Sequence, residues 1–232
     1  MGEAKMVLAG KIFKLREQID LETIAAKLKN YRKEESFDQG TYHFKLTTEI
    51  RDLAIKTNIL QGIFSQDKIT YVFHRGEEIP TPQTIEAPFA FAKHKNQVLL
   101  TVLEKKLRAN NIANQLSAIL FITVGYIVEV KIPPELLRSF HEQNPEGTKI
   151  IFFDEVDIPN ITKLSLYGSS LADTTLYNDY LTHGKIWYIV ITSKKSGNIV
   201  GITRNGVVTI FSKVSESDYL SYVSDEIFPL IS

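Results

Sequence analysis

Ile112-Ala113-Asn114-Gln115-Leu116-Ser117-Ala118-Ile119-Leu120 and Val223-Ser224-Asp225-Glu226-Ile227-Phe228-Pro229-Leu230-Ile231 decide the reading of the fold. In both, apolar residues fall at steps 0, 4, 7 and 8, which places them on one stripe of a helix. The two stretches stand 111 residues apart. Nearer the start of each half the same thing happens again: Ile24, Ala25 and Leu28 have the spacing of Leu136, Leu137 and Phe140, at an offset of 112. Two predicted helices therefore recur in step, which is the mark of a duplicated unit.

Strands fill the intervals. Residues 6–15 and 126–132 are β-rich runs directly before the first helix of each half. Pro133-Pro134 fits a strand end followed by a helix start, because proline is tolerated in a first helical turn. Phe64-Ser65-Gln66-Asp67-Lys68-Ile69 and residues 92–97 read as turns in the first half; 194–198 and Arg204-Asn205-Gly206 play that part in the second. Asn-Gly is the strongest of these signals, since both residues tolerate positive φ. Residues 77–88, with three prolines, read as a loop special to the first half, and 169–184 as a polar helix or loop special to the second. The expectation is an α+β protein of two pseudo-repeats of β-α-β4-α, residues 1–122 and 123–232, with a mostly antiparallel sheet and helices on one face.

This order of elements, together with the closing segment from Gly206 through Val207-Val208-Thr209-Ile210-Phe211 to Tyr219-Leu220-Ser221-Tyr222-Val223, resembles the TATA-box-binding-protein family. The resemblance implies that family's duplicated fold. At residue level it covers the last strand and helix, and elsewhere only the order of elements.

Bulk composition bounds the function. The 232 residues are 44% hydrophobic and 23% charged, as in a globular protein rather than a disordered one. Twenty-seven basic residues balance twenty-seven acidic ones, so no overall field draws the chain to nucleic acid or an anionic membrane. Residues 1–110 carry 18 Lys and Arg against 14 Asp and Glu, and the rest 9 against 13. Zero cysteines exclude disulfides, iron–sulfur clusters and thiolate zinc sites. The start, Met1-Gly2-Glu3-Ala4-Lys5-Met6, has no long apolar core, and the longest apolar run, 118–128, is far short of a membrane span, so the expected setting is cytoplasmic with no membrane partner.

No catalytic constellation emerges, and no cofactor or metal is expected. His43, His74, His94, His141 and His183 are scattered, and His141-Glu142 lacks the second histidine of a zincin. There is no Walker A sequence, no Gly-x-Gly-x-x-Gly and no Gly-x-Ser-x-Gly. Asp154-Glu155-Val156-Asp157 after an apolar run, and Glu129-Val130-Lys131 on a strand, carry the acids a Mg²⁺-dependent nuclease would use, but the partner acid upstream is missing because 108–128 contains none. A nuclease is the third reading.

What remains is surface. Ile186, Tyr188 and Val190 alternate with Trp187, Ile189 and Ile191, so both faces of that strand are apolar; Val207, Thr209 and Phe211 alternate likewise with Val208 and Ile210. Helices cover one face, and something else must cover the other. The first expectation is a DNA-binding module: Lys93, Lys95, Lys194, Lys195 and Arg204 at hairpin tips grip phosphates, and Phe89, Phe91 and Trp187 supply apolar contact. The next is association with a protein partner or with a second copy.

Overall fold

The computed structural model describes residues 6–56, 58–144 and 147–231. Residues 1–5, on which the expectation about location rests, and Pro145, in the interrupted His141-Glu142 pattern, lie outside the described residues.

Among the described residues there are twelve strands in a large antiparallel sheet and five α-helices, so the chain is α+β. The order is β1 (Met6–Leu15), α1 (Leu21–Leu28), β2 (Arg32–Gln39), β3 (Tyr42–Lys56), β4 (Ile59–His74), β5 (Glu77–His94), β6 (Gln97–Val102), α2 (Lys106–Phe121), β7 (Ile127–Glu129), α3 (Pro134–Glu142), β8 (Thr148–Asp154), β9 (Leu164–Tyr167), α4 (Thr175–His183), β10 (Lys185–Thr192), β11 (Ile199–Thr203), β12 (Val207–Val214) and α5 (Glu216–Tyr222). By contacts the chain divides into two compact units. One comprises Leu15–Leu103 and Arg108–Ile127; the other Met1–Lys14, Glu104–Leu107 and Val128–Ser232.

The first of these is built on the strand order β2-β3-β4-β5-β6. Leu60, Gly62 and Phe64 of β4 pair with Phe91, Phe89 and Ala87 of β5, and all are buried. They form the face on which the helices lie: α1 packs on β3, β4 and β5, and Gln66, next in the same alternation, exchanges amide hydrogen bonds with Gln115 of α2. Asp20 caps α1 by accepting from the Thr23 N–H at 2.6 Å, and Lys27 in its last turn donates to the Leu120 carbonyl at the end of α2.

Two expectations are corrected here. Residues 64–69 are not a turn but the middle of β4, and 77–88 are not a loop but most of β5; β4 and β5 pair without interruption from Ile59↔Ala92 to His74↔Glu77. Polar residues persist in this strand because neighbouring strands satisfy them: Gln66 donates to Thr48, and Asp67 accepts from the Thr47 N–H and the Thr84 hydroxyl. The prolines are tolerated because of their parity. Pro88 turns its backbone toward β6, where its carbonyl accepts from the Leu103 N–H. Pro80 and Pro82 face the same way, beyond the point where pairing with β6 begins at Phe89↔Val102, so their missing N–H groups cost no ladder bond.

The second unit has the strand order β1-β12-β11-β10-β8-β9, with β7 paired to β1. Ile151, Phe153, Ile186, Ile189, Ile191, Val200, Ile202, Val208 and Ile210 are buried on one face. Helix α3 packs on β10 and α5 on β12, where the Tyr219 hydroxyl donates to the Val208 carbonyl at 2.9 Å. Ser215 and Asp218 form a capping box that starts α5. The helix expected over 223–231 is a π turn, 223–227, followed by a 3₁₀ turn, 228–230, because Pro229 lacks the N–H a continuing α-helix would use.

Candidate nucleic-acid interface

On the face of the second unit opposite its helices, neighbouring strands set aromatic side chains beside one another. Phe152 of β8 pairs with Ser165 of β9 on one side and Tyr188 of β10 on the other, and Tyr188 pairs with Thr203 of β11. Tyr167 lies one step along β9 in the same alternation as Ser165, and Phe211 lies on β12 in the alternation of Thr209. The register of β10 against β8 shifts between Ile186 and Tyr188, so Trp187 is the extra residue of a bulge. Its ring consequently joins that of Tyr188 instead of turning to the helices: Trp187 and Tyr188 centroids are 5.8 Å apart, and each is within 5.7 Å of Phe152. Tyr167 meets Phe152 edge-on at 5.8 Å, and the Lys163 ammonium sits 4.8 Å over the Trp187 ring.

Gly201 completes the stripe. A Cβ there would stand 2.7 Å from the Tyr188 hydroxyl and 3.1 Å from Phe211, so only glycine lets these rings lie across the strand from either side. Tyr167 is 66% exposed and Phe211 45% exposed, whereas Phe152, Trp187 and Tyr188 are half-buried, their rings partly open. Burial, with the nearby Tyr167 a smaller cause, raises the Tyr188 hydroxyl above its ordinary pKa, so it stays a neutral donor and acceptor.

The residues expected from sequence to form the site separate. Trp187 sits in the stripe. Phe89 and Phe91 belong to the other unit and are 1% and 0% exposed, touching one another edge-on at 5.7 Å beneath the helices, so they serve its core and cannot meet a partner. Lys95 is in the β5–β6 turn, and Lys93 lines a cleft of about 660 Å³ with Gln18, Asp20, Glu22 and Asn58. Lys194 and Lys195 occupy the β10–β11 turn, and Lys195 pairs with Glu226 at 2.6 Å. Arg204 follows β11 and is held by Asp154 at 2.8 Å and Glu155 at 3.0 Å. Tyr167 and Phe152 were not singled out by sequence reasoning, and Tyr188 and Phe211 were named there only as members of strands apolar on both faces. A glycine inside the apolar run Ile199-Val200-Gly201-Ile202 was the signal that could have found them, since it marks a close approach.

The acids weighed for metal-assisted hydrolysis are engaged otherwise. Glu129 pairs with Lys11, Asp154 and Glu155 with Arg204, and Asp157 with His183 at 2.8 Å. Among the described residues no three His, Asp or Glu side chains are grouped to hold a metal ion, and no helix is long and apolar enough to cross a membrane. In the first unit the face opposite the helices carries ion pairs, Arg51 bridging to Glu86 and Arg32 to Glu49 at 3.2 Å, with Asp67 accepting from the Thr47 N–H and the Thr84 hydroxyl. Compared with known protein families and with curated proteins, the chain matches none of them.

Proposed function

We propose that this protein binds nucleic acid, and that the aromatic sheet face of its second unit takes unpaired bases by stacking. The observation that carries the reading is the run of partly open rings from Tyr167 through Phe152, Trp187 and Tyr188 to Phe211 on the face away from the helices. Bases present flat π faces to such a platform only when they are unstacked, which favours a single strand over a duplex. Lys163 over Trp187, and Lys213 in the alternation of Phe211, supply charge for the phosphate chain from either end of the stripe. Each half has five strands between its helices where four were expected, and α4 interrupts the second set; the recurring order strand, helix, strands, helix is what supports reading the chain as a duplicated unit like that of the TATA-box-binding-protein family. Trp187 is the one tryptophan of the chain, so its emission reports on the site directly. Titration with an unstructured oligonucleotide should quench it with an affinity that falls as salt rises, and a matched duplex should bind more weakly. Unchanged emission together with no retention of labelled single strand refutes the reading.

Self-association is a second reading, favoured by one observation. The distal part of the β4–β5 hairpin exposes Tyr71, Val72 and Phe73, the last to 72%. Sedimentation at rising concentration tests it, with Phe73→Ser expected to hold the chain monomeric.

A further inference from the structure

Beside the middle of the aromatic stripe, next to Trp187, the sheet face deepens into a cleft of about 440 Å³ lined by Lys106, Asp154, Trp187, Thr203, Arg204 and Asn205. Asp154, at the end of β8, continues the alternation of Phe152, and Thr203 pairs across from Tyr188, so the cleft opens on the same face as the platform. Two of its lining residues each carry a buried polar atom without a partner: Oδ1 of Asp154 and Nε1 of Trp187. The other Asp154 oxygen is taken by Arg204 at 2.8 Å, which holds the carboxylate in place and leaves Oδ1 as an acceptor. Thr203 donates to the Asn205 side-chain oxygen at 2.6 Å and accepts from the Val207 N–H, which fixes the turn behind them. A buried donor and a buried acceptor without protein partners cost stability, and a ligand that pairs with both offsets that cost.

The geometry points to this cleft as a base-selecting subsite: it takes one base whose exocyclic amine donates to Asp154 while the adjacent ring nitrogen accepts from the Trp187 indole N–H. Adenine and cytosine carry that edge, and thymine and uracil do not. The inference rests on the stacking platform proposed above, because the Trp187 ring belongs to both. Cytosine against thymine is the cleaner comparison, since two pyrimidines stack alike.

The test is fluorescence anisotropy of labelled oligo(dC) and oligo(dT) of equal length with the full chain. Oligo(dC) should bind about tenfold more tightly, the discrimination expected of one hydrogen bond to a charged acceptor. Trp187→Phe, which keeps an aromatic ring and removes the N–H, should lower the ratio of oligo(dC) to oligo(dT) affinity, whatever it does to the affinity of both through stacking. Asp154→Ala, checked for folding by its thermal transition, should abolish it. Equal affinity for the two oligomers, or a preference that survives both substitutions, overturns the subsite and leaves the platform standing. Binding of neither oligomer overturns both.

Discussion

The Tyr188 hydroxyl lies 2.7 Å from where a Cβ at position 201 would be, so Tyr188 and Gly201 specify one another across the β10–β11 pair. Phe211 approaches the same point to 3.1 Å from the far side. Substituting Gly201→Ala forces the ends of both rings to move, and ring ends move more cheaply than backbone. The stability cost should therefore stay near 1 kcal/mol, the low end for an overpacked site. Oligonucleotide affinity should fall by more than that, since the stripe is broken at its middle. Urea denaturation and anisotropy on the same protein check the two numbers. A variant that loses stability and keeps full affinity would falsify the role given to the stripe.

Phe211→Ala and Phe89→Ala should behave oppositely, although both remove a phenylalanine from a strand. Phe211 is 45% exposed, so its loss should hardly move the unfolding midpoint while weakening single-strand binding by about 1–3 kcal/mol, the usual worth of one base stacked on an aromatic ring. Phe89 is 1% exposed and its ring fills the space over Gly62, where a Cβ would meet it at 2.8 Å. Its truncation should cost about 3–5 kcal/mol in stability. Any loss of binding in that variant should follow the unfolded fraction alone.

The contrast between these residues shows what was legible in the sequence. Periodicity placed β1 at Met6–Leu15, and put α1, α2 and α3 where they lie, because an apolar stripe at helical spacing has to be buried whatever it packs on. A turn at Arg204-Asn205-Gly206 was legible, although only Gly206 takes the positive φ expected of both Asn205 and Gly206. That strands of the second unit are apolar on both faces, with helices for only one, was also readable from Tyr188 and Phe211. Parity was not readable. Phe89 and Trp187 look alike as aromatic strand residues, and which face each takes depends on strand registers and on the bulge at Trp187, set by partners distant in sequence such as Phe152 for Tyr188 and Leu8 for Ile210 beside Phe211. The prolines of β5 misled for the same reason: their meaning depends on which edge of the strand lacks a neighbour.

Lys11, fully buried on β1, carries a pKa lowered chiefly by burial, with the Glu129 carboxylate acting against that shift and Lys106 adding to it. A lysine whose native pKa lies below its unfolded value holds fewer protons when folded, so stability rises with pH through the interval between the lowered value and 10.5. Glu129→Gln removes the charge that offsets burial and should lower the Lys11 pKa further. The expected result is a loss of about 1–3 kcal/mol at pH 7, reduced because Glu129 is itself partly exposed, that shrinks as pH is raised toward 10. Urea midpoints at pH 7, 8.5 and 10 measure it, and a loss independent of pH counts against the ion pair.

His141 gives the opposite end of the pH scale. It is buried in α3, with Nδ1 2.6 Å from the Thr148 hydroxyl and its ring edge-on to Tyr177 at 5.0 Å. The Thr148 hydroxyl donates to the Asn144 carbonyl, so the neutral ring donates from Nδ1 and leaves a bare, buried Nε2. Protonating Nε2 puts charge where nothing solvates it, and burial depresses the pKa from 6.5 to about 4. Because the unfolded chain takes up this proton first, stability is complete above pH 6.5 and is lost as pH falls toward 4. The loss amounts to about 3 kcal/mol over that interval. His141→Asn places an amide N–H near the position of Nδ1 for Thr148 and cannot titrate. Carboxylates also contribute to acid unfolding, so the quantity to measure is the difference between wild type and variant, from urea midpoints at pH 7 and pH 4.5. The variant should be less stable at pH 7 and should lose less on acidification. Parallel pH profiles for the two proteins would mean that His141 is protonated without cost and that its packing against Tyr177 does not exclude the charge.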